Sequence, residues 1–120
     1  MTQRAQWMAV LAKADWSALD AACRQLEQMP DFTTLRAPET GLVMVRAKTG
    51  GTGNPFNMGE ATVTRCAVVS DAGHTGHAYI LGRNHDHART AAQIDSLMQD
   101  EARRDELWAR IISPLAHAAE

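Results

Sequence analysis

The chain has 120 residues, enough for one compact domain over 1–120 with its own core and too short for two. Apolar residues make up 45% and charged residues 22%, an ordinary globular balance, and a formal net charge of -2 leaves no basic signature of nucleic-acid binding. Aromatics are only 5%, so the core must lean on Ala, Val, Leu, Ile and Met.

The spacing predicts a short helix over Arg4–Ala14, with Trp7, Val10 and Leu11 on one side. Asp15 is placed to cap a second helix. There Leu19, Ala22, Cys23, Leu26 and Met29 form an apolar face, and Pro30 is expected to stop it. A short strand over Asp31–Arg36 and a turn at Ala37-Pro38-Glu39-Thr40-Gly41 follow. Leu42–Lys48 alternates as a second strand, with Val43, Val45 and Ala47 on one face and Leu42, Met44, Arg46 and Lys48 on the other. Glu60–Ser70 reads as a third strand, Asp71-Ala72-Gly73-His74 as a hairpin turn, and Thr75–Leu81 as a fourth strand. Connections this short favour an antiparallel meander. A third helix opens with Asn84 as N-cap and carries His87, Ala91, Ile94, Leu97 and Met98 as its stripe. A charged stretch over Gln99–Glu106 precedes a second stripe of Leu107, Trp108, Ile111, Ile112 and Leu115. That stripe either packs back on the sheet or is left for a partner, where a Trp anchor is typical. The order predicts an α+β domain: a four-stranded antiparallel β-meander sheet with N-terminal and C-terminal helices packed on it.

Between the second and third strands lies the densest candidate for function. Gly50, Gly51, Thr52 and Gly53 form a loop flanked by Arg46 and Lys48, with Arg65 on the strand beyond. A Walker-type loop needs Lys-Ser/Thr after its last glycine and then a helix, and a dinucleotide fingerprint needs a strand–turn–helix unit. Here Asn54 and Pro55 follow, then a strand, so neither fits. A backbone nest for phosphate, a long hairpin connection and a loop that docks on a partner stay open. Arg65 shares its strand face with Ala61, Val63, Ala67 and Val69, and an arginine in such a row calls for a partner: Glu39, Glu60, an anion or another subunit.

His87 is read as a hydrogen-bonded histidine on the apolar helix face, with general base as the alternative. His85 stands two residues away, and on a helix positions i and i+2 diverge, so no shared metal is expected. Cys23 and Cys66 have no CxxC spacing and read as reduced, buried small side chains. The N-terminus has no apolar h-region and no run is long enough for a transmembrane helix, so the expected location is the cytoplasm.

The ordered set Trp7-Met8-Ala9-Val10-Leu11, Arg36-Ala37-Pro38-Glu39-Thr40-Gly41-Leu42-Val43, Gly50-Gly51-Thr52-Gly53, Phe56, Gly59-Glu60-Ala61-Thr62-Val63-Thr64-Arg65, Gly82-Arg83 and His87-Ala88 resembles the PhnG subunit family of the bacterial carbon–phosphorus lyase system, over roughly residues 5 to 115. The resemblance implies a small accessory subunit of a core complex with PhnH, PhnI and PhnJ subunits and an associated ATPase-like subunit, in phosphonate catabolism. It implies ATP-dependent formation of alpha-D-ribose 1-methylphosphonate 5-triphosphate, adenine being displaced from ATP by the phosphonate. The iron–sulfur cluster and S-adenosylmethionine then belong to a partner subunit, and this chain carries no cofactor, metal or catalytic residue. No nucleic acid or membrane is implied as a partner. Gly50, Gly51, Thr52, Gly53, Arg65, Arg83 and His87 in this pattern, with Arg46 and Lys48 flanking the loop, are candidates for partner interface or proximity to substrate. The alternative is a stand-alone phosphate- or nucleotide-binding module built on Gly50–Gly53.

Overall fold

A computed structural model describes residues 2–48 and 55–118 of the chain. Two helices open it, α1 (Gln3–Lys13) and α2 (Trp16–Arg24), followed by β1 (Phe32–Lys48), β2 (Pro55–Ser70), β3 (Thr75–Leu81) and α3 (His85–Met98). The C-terminal segment is α4 (Glu101–Leu107), one π-helical turn (Trp108–Ile112) and α5 (Ser113–Ala118).

The first four α-helices each begin where a polar side chain caps them. Thr2, Asp15, Asn84 and Asp100 accept from Ala5, Ala18, His87 and Ala102 backbone N–H groups, respectively. The π turn precedes Pro114, which has no N–H to continue the α-helical ladder; the Ser113 N–H reaches back to Trp108 O instead. α2 ends at Gln25, earlier than Pro30 alone would require, because the chain turns there and Leu26 packs against the core.

The sheet is antiparallel in the order β1-β2-β3. This corrects the expected four-stranded meander to three strands. The two expected strands belong to one 17-residue strand, Phe32–Lys48, and the expected turn falls inside it, with register shifts between Thr34 and Arg36 and between Arg36 and Glu39. Arg36 faces Ala67 while Glu39 faces Arg65, so β1 spends three residues where β2 spends two. Pro38 reads as a turn former, yet β1 is an edge strand, and a bulge on an edge leaves a missing N–H without a ladder partner to lose.

α3 lies against one sheet face and is nearly surrounded. Its Ala88, Ala91, Ala92, Ile94 and Met98 are buried with Cys66, Val68, Ala78 and Ile80 of the strands. Small side chains let the helix come close, and Gly76 makes the closest approach: a Cβ there would overlap the Ala92 carbonyl oxygen on α3. Behind α3, Trp7, Leu11, Leu19, Leu107, Ile111, Ile112 and Leu115 complete the core. The C-terminal stripe therefore packs inward, leaving Trp108 half-buried edge-on to Trp7 at 6.4 Å.

The other sheet face is open. His77, Tyr79 and Leu81 alternate outward along β3. β3 ends at Leu81, opposite Val63, while β1 and β2 run on together to Lys48 and Pro55. The result is a two-stranded ribbon projecting from the body. It accounts for a longest dimension of 50 Å against 30 and 25 Å, and for a radius of gyration of 15.7 Å where a compact chain of this length has about 14 Å.

Candidate functional site

Arg65 is held on the open face by the bulge in β1. That bulge brings Glu39 directly opposite Arg65, whose Nε and Nη2 donate to Glu39 Oε1 at 2.8 and 2.6 Å. Arg36 donates to the same oxygen from the other side of the bulge at 2.8 Å. Two guanidiniums thus share one carboxylate, which is held below its ordinary range by Arg65 first and then Arg36. Tyr79 and Glu39 raise the Arg65 guanidinium, Tyr79 standing one strand over at 3.5 Å. Glu39, Arg65 and Tyr79, with Thr40, Leu42, Val43 and Val63, line an open groove of about 240 Å³. Of the partners anticipated for Arg65, Glu39 is the one in contact.

The cluster carries more positive than negative charge, and all three side chains are about half exposed. It suits an acidic or phosphorylated group arriving from outside, because Glu39 neutralises only one of its two arginines. The exposed Leu42, Val43 and Leu81 beside it suit a polypeptide surface.

The remaining candidates fall in three places. Gly50, Gly51, Thr52 and Gly53 lie outside the described residues. Arg46 and Lys48 belong to the ribbon, in register with Asn57 and Pro55. Arg46's partner Asn57 is eight residues from Arg65 along β2, roughly 26 Å of strand, so Arg46 and Arg65 are not placed around one phosphate. Arg83 is exposed on the turn between β3 and α3.

His87 sits in the core side of the first turn of α3. It is 7% exposed, its Nε2 lies 2.8 Å from Leu11 O, and it stacks on Trp16 at 6.0 Å. That is a histidine joining α3 to the end of α1. His85 points elsewhere, with Nε2 3.0 Å from Thr40 Oγ1. Thr40 Oγ1 is 3.0 Å from Thr64 Oγ1, which donates to Gly82 O at 2.6 Å. Because Thr64 uses its one proton on Gly82, Thr40 must donate to Thr64 and accept from His85 Nε2–H. Neither thiol is poised to react: burial, with Asp20 nearby, pushes Cys23 up to about 12, and burial raises Cys66 too. Among the described residues no group of three His, Cys, Asp or Glu stands together as a metal site.

One polar residue central to the fold escaped the sequence reading. Asp95 is fully buried and accepts from Arg4 Nε and Nη2 at 3.2 and 3.0 Å, Trp7 Nε1 at 2.8 Å and the His77 backbone N–H at 2.9 Å. Its signal was an acidic residue at helical spacing from His87, Ala91 and Met98.

With this geometry in view, the comparisons with known proteins are specific. The family described as "Phosphonate metabolism protein PhnG" matches residues 2–120. The chain belongs to the PhnG family. A curated member, the alpha-D-ribose 1-methylphosphonate 5-triphosphate synthase subunit PhnG of Rhizobium meliloti (strain 1021), is 45% identical over 104 residues, 87% of this chain and 67% of the relative. The family assignment agrees with the resemblance carried by the Arg36–Val43 and Gly59–Arg65 segments. These segments turn out to be the paired walls of the Arg65–Glu39 groove and the base of the ribbon.

Proposed function

We propose that this chain is an accessory subunit of a synthase that forms alpha-D-ribose 1-methylphosphonate 5-triphosphate, working in phosphonate catabolism in the cytoplasm. The observation that carries the reading is the open sheet face. An arginine–carboxylate cluster and uncovered Val43, Tyr79 and Leu81 stand together on it, next to a ribbon that leaves the body. A surface of that composition suits a permanent protein partner better than a small substrate. The Rhizobium relative is itself named as a synthase subunit.

On this reading the partners are the PhnH, PhnI and PhnJ subunits, with an ATPase-like subunit joining them. ATP enters as a substrate of the complex, and the iron–sulfur cluster and S-adenosylmethionine are held by a partner, so this chain brings no cofactor and no catalytic group.

Co-expression of the tagged chain with those subunits tests the proposal. The expected result is a stoichiometric complex that makes the triphosphate from ATP and methylphosphonate, with production lost when this chain is omitted. Tight, saturable ATP binding by the isolated chain, without recovery of any partner, would overturn it in favour of a nucleotide-binding module.

A further inference from the structure

The ribbon carries an unusual pattern for a solvent-facing hairpin. Antiparallel strands with one wet face alternate apolar and polar side chains, whereas an unbroken apolar run marks a strand covered on both faces. Leu42-Val43-Met44-Val45 is such a run. Leu42 and Met44 point to one side and are 63% and 52% exposed; Val43 and Val45 point to the other and are 40% and 42% exposed. The opposing β2 segment is paired in the sheet with β1 alone from Ala61 outward, since β3 has ended. A two-stranded ribbon of this kind has little stability of its own in water. Within it, Gly59 takes φ +139°, where the register shifts between Val45 and Arg46. A bulge of this kind lies inside the ribbon and bends its outer part.

We infer that the ribbon is inserted into a cleft of a different, larger polypeptide, one with an apolar wall against each of its faces. The inference rests on the subunit reading above and specifies how the subunit is held. The area argues for insertion over stacking on a second copy. Residues 42–48 span about 23 Å and two strands are about 10 Å wide, so one face offers on the order of 200 Å². A stable interface takes about 800 Å² from each partner. A second copy laid on the ribbon covers one face and leaves the other in water. A cleft covers both, and the adjoining Tyr79 and Leu81 continue the contact onto the body.

The test uses the co-expressed complex with one substitution on each face, Leu42→Lys and Val43→Lys, and Thr33→Lys as an exposed control at the other end of β1. Insertion predicts that each ribbon variant lowers recovery of the partner subunits at least tenfold, while the control recovers them fully. The isolated variants should melt with the wild type; a variant that melts early is replaced by Leu42→Gln or Val43→Thr. Sensitivity on one face only would overturn insertion, as would sensitivity on neither. A wild-type dimer in sedimentation that both substitutions dissociate would also overturn it, in favour of a second copy. Failure of the wild type to recover any partner would instead defeat the subunit reading itself.

Discussion

The Trp7 indole N–H donates to Asp95 Oδ1 at 2.8 Å across 88 residues of chain. Arg4 closes on the same carboxylate, and Arg104 lies over the Trp7 ring at 5.4 Å. α1, β3 and α3 are therefore fastened at one buried point, because the His77 backbone N–H donates there as well. Replacing Asp95 by Ala leaves the Trp7 and His77 donors without an acceptor, at about 1–3 kcal/mol each. Asp95→Ala should lose about 3 kcal/mol or more in urea unfolding. Arg4→Ala should lose about 1 kcal/mol or less, because Arg4 is partly exposed and Asp95 keeps two donors. Equal losses from the two variants would show that the Arg4 pair, not the whole set of donors, anchors the helix.

Gly76 and Gly41 offer a matched comparison. A methyl at Gly76 collides with the α3 backbone at Ala92 and Ser96, and one at Gly41 meets nothing within 4 Å. Gly76→Ala should destabilise by about 3 kcal/mol through displacement of α3. Gly41→Ala should stay within about 0.5 kcal/mol of wild type. Thermal melts of the two variants read the difference directly, and a mild Gly76→Ala would mean that α3 can slide on the sheet.

The Glu39 carboxyl, lowered by Arg65 and Arg36, gives the open face a definite acid response. A carboxyl depressed in the folded state contributes stability that is present above its unfolded value, about 4.3, and is lost as pH falls through its folded value. Carbon-13 titration should therefore place the Glu39 midpoint below that of an ordinary glutamate, and Arg65→Ala should move it upward. An unmoved midpoint would assign the shift to Arg36 alone.

The hydrogen-bond chain from Gly82 O back through Thr64 and Thr40 fixes the proton on His85 Nε2. Nitrogen-15 spectra at pH 8 should show the Nε2–H tautomer for His85, with Nδ1 unprotonated. Thr40→Val should relax that preference toward the mixture of a free imidazole. A dominant Nδ1–H form in the wild type would mean that Thr40 donates to His85 and that its contact with Thr64 carries no proton.

Much of the fold was legible because its signals are local. The Asp15 and Asn84 caps, the Asp71–His74 turn and the β3 alternation each depend on residues a few positions apart. The first strand was misread because Pro38 and Gly41 carry the same signal in a turn and in an edge-strand bulge. What separates the two is a partner strand some 26 residues away, with Glu39 meeting Arg65. The pairing of Arg65 with Glu39 was legible as chemistry, since an arginine among small apolar residues needs a counter-charge. The joint role of Asp95 was not, because its donors Arg4, Trp7 and His77 come from distant parts of the chain. The ribbon was visible only as two alternating strands; its length beyond β3 is a fact of tertiary structure.

The Arg4–Asp95 link spans 91 residues, and this sets a clock during synthesis. α1 leaves the ribosome well before α3, and at about 5–20 residues per second its buried acceptor follows roughly 5–20 seconds later. Through that interval Trp7 and Leu11 have no core to enter. The nascent α1 segment is thus a natural client for chaperones, and slowing translation between α1 and α3 should increase aggregation of the newly made chain before it has any effect on the finished fold.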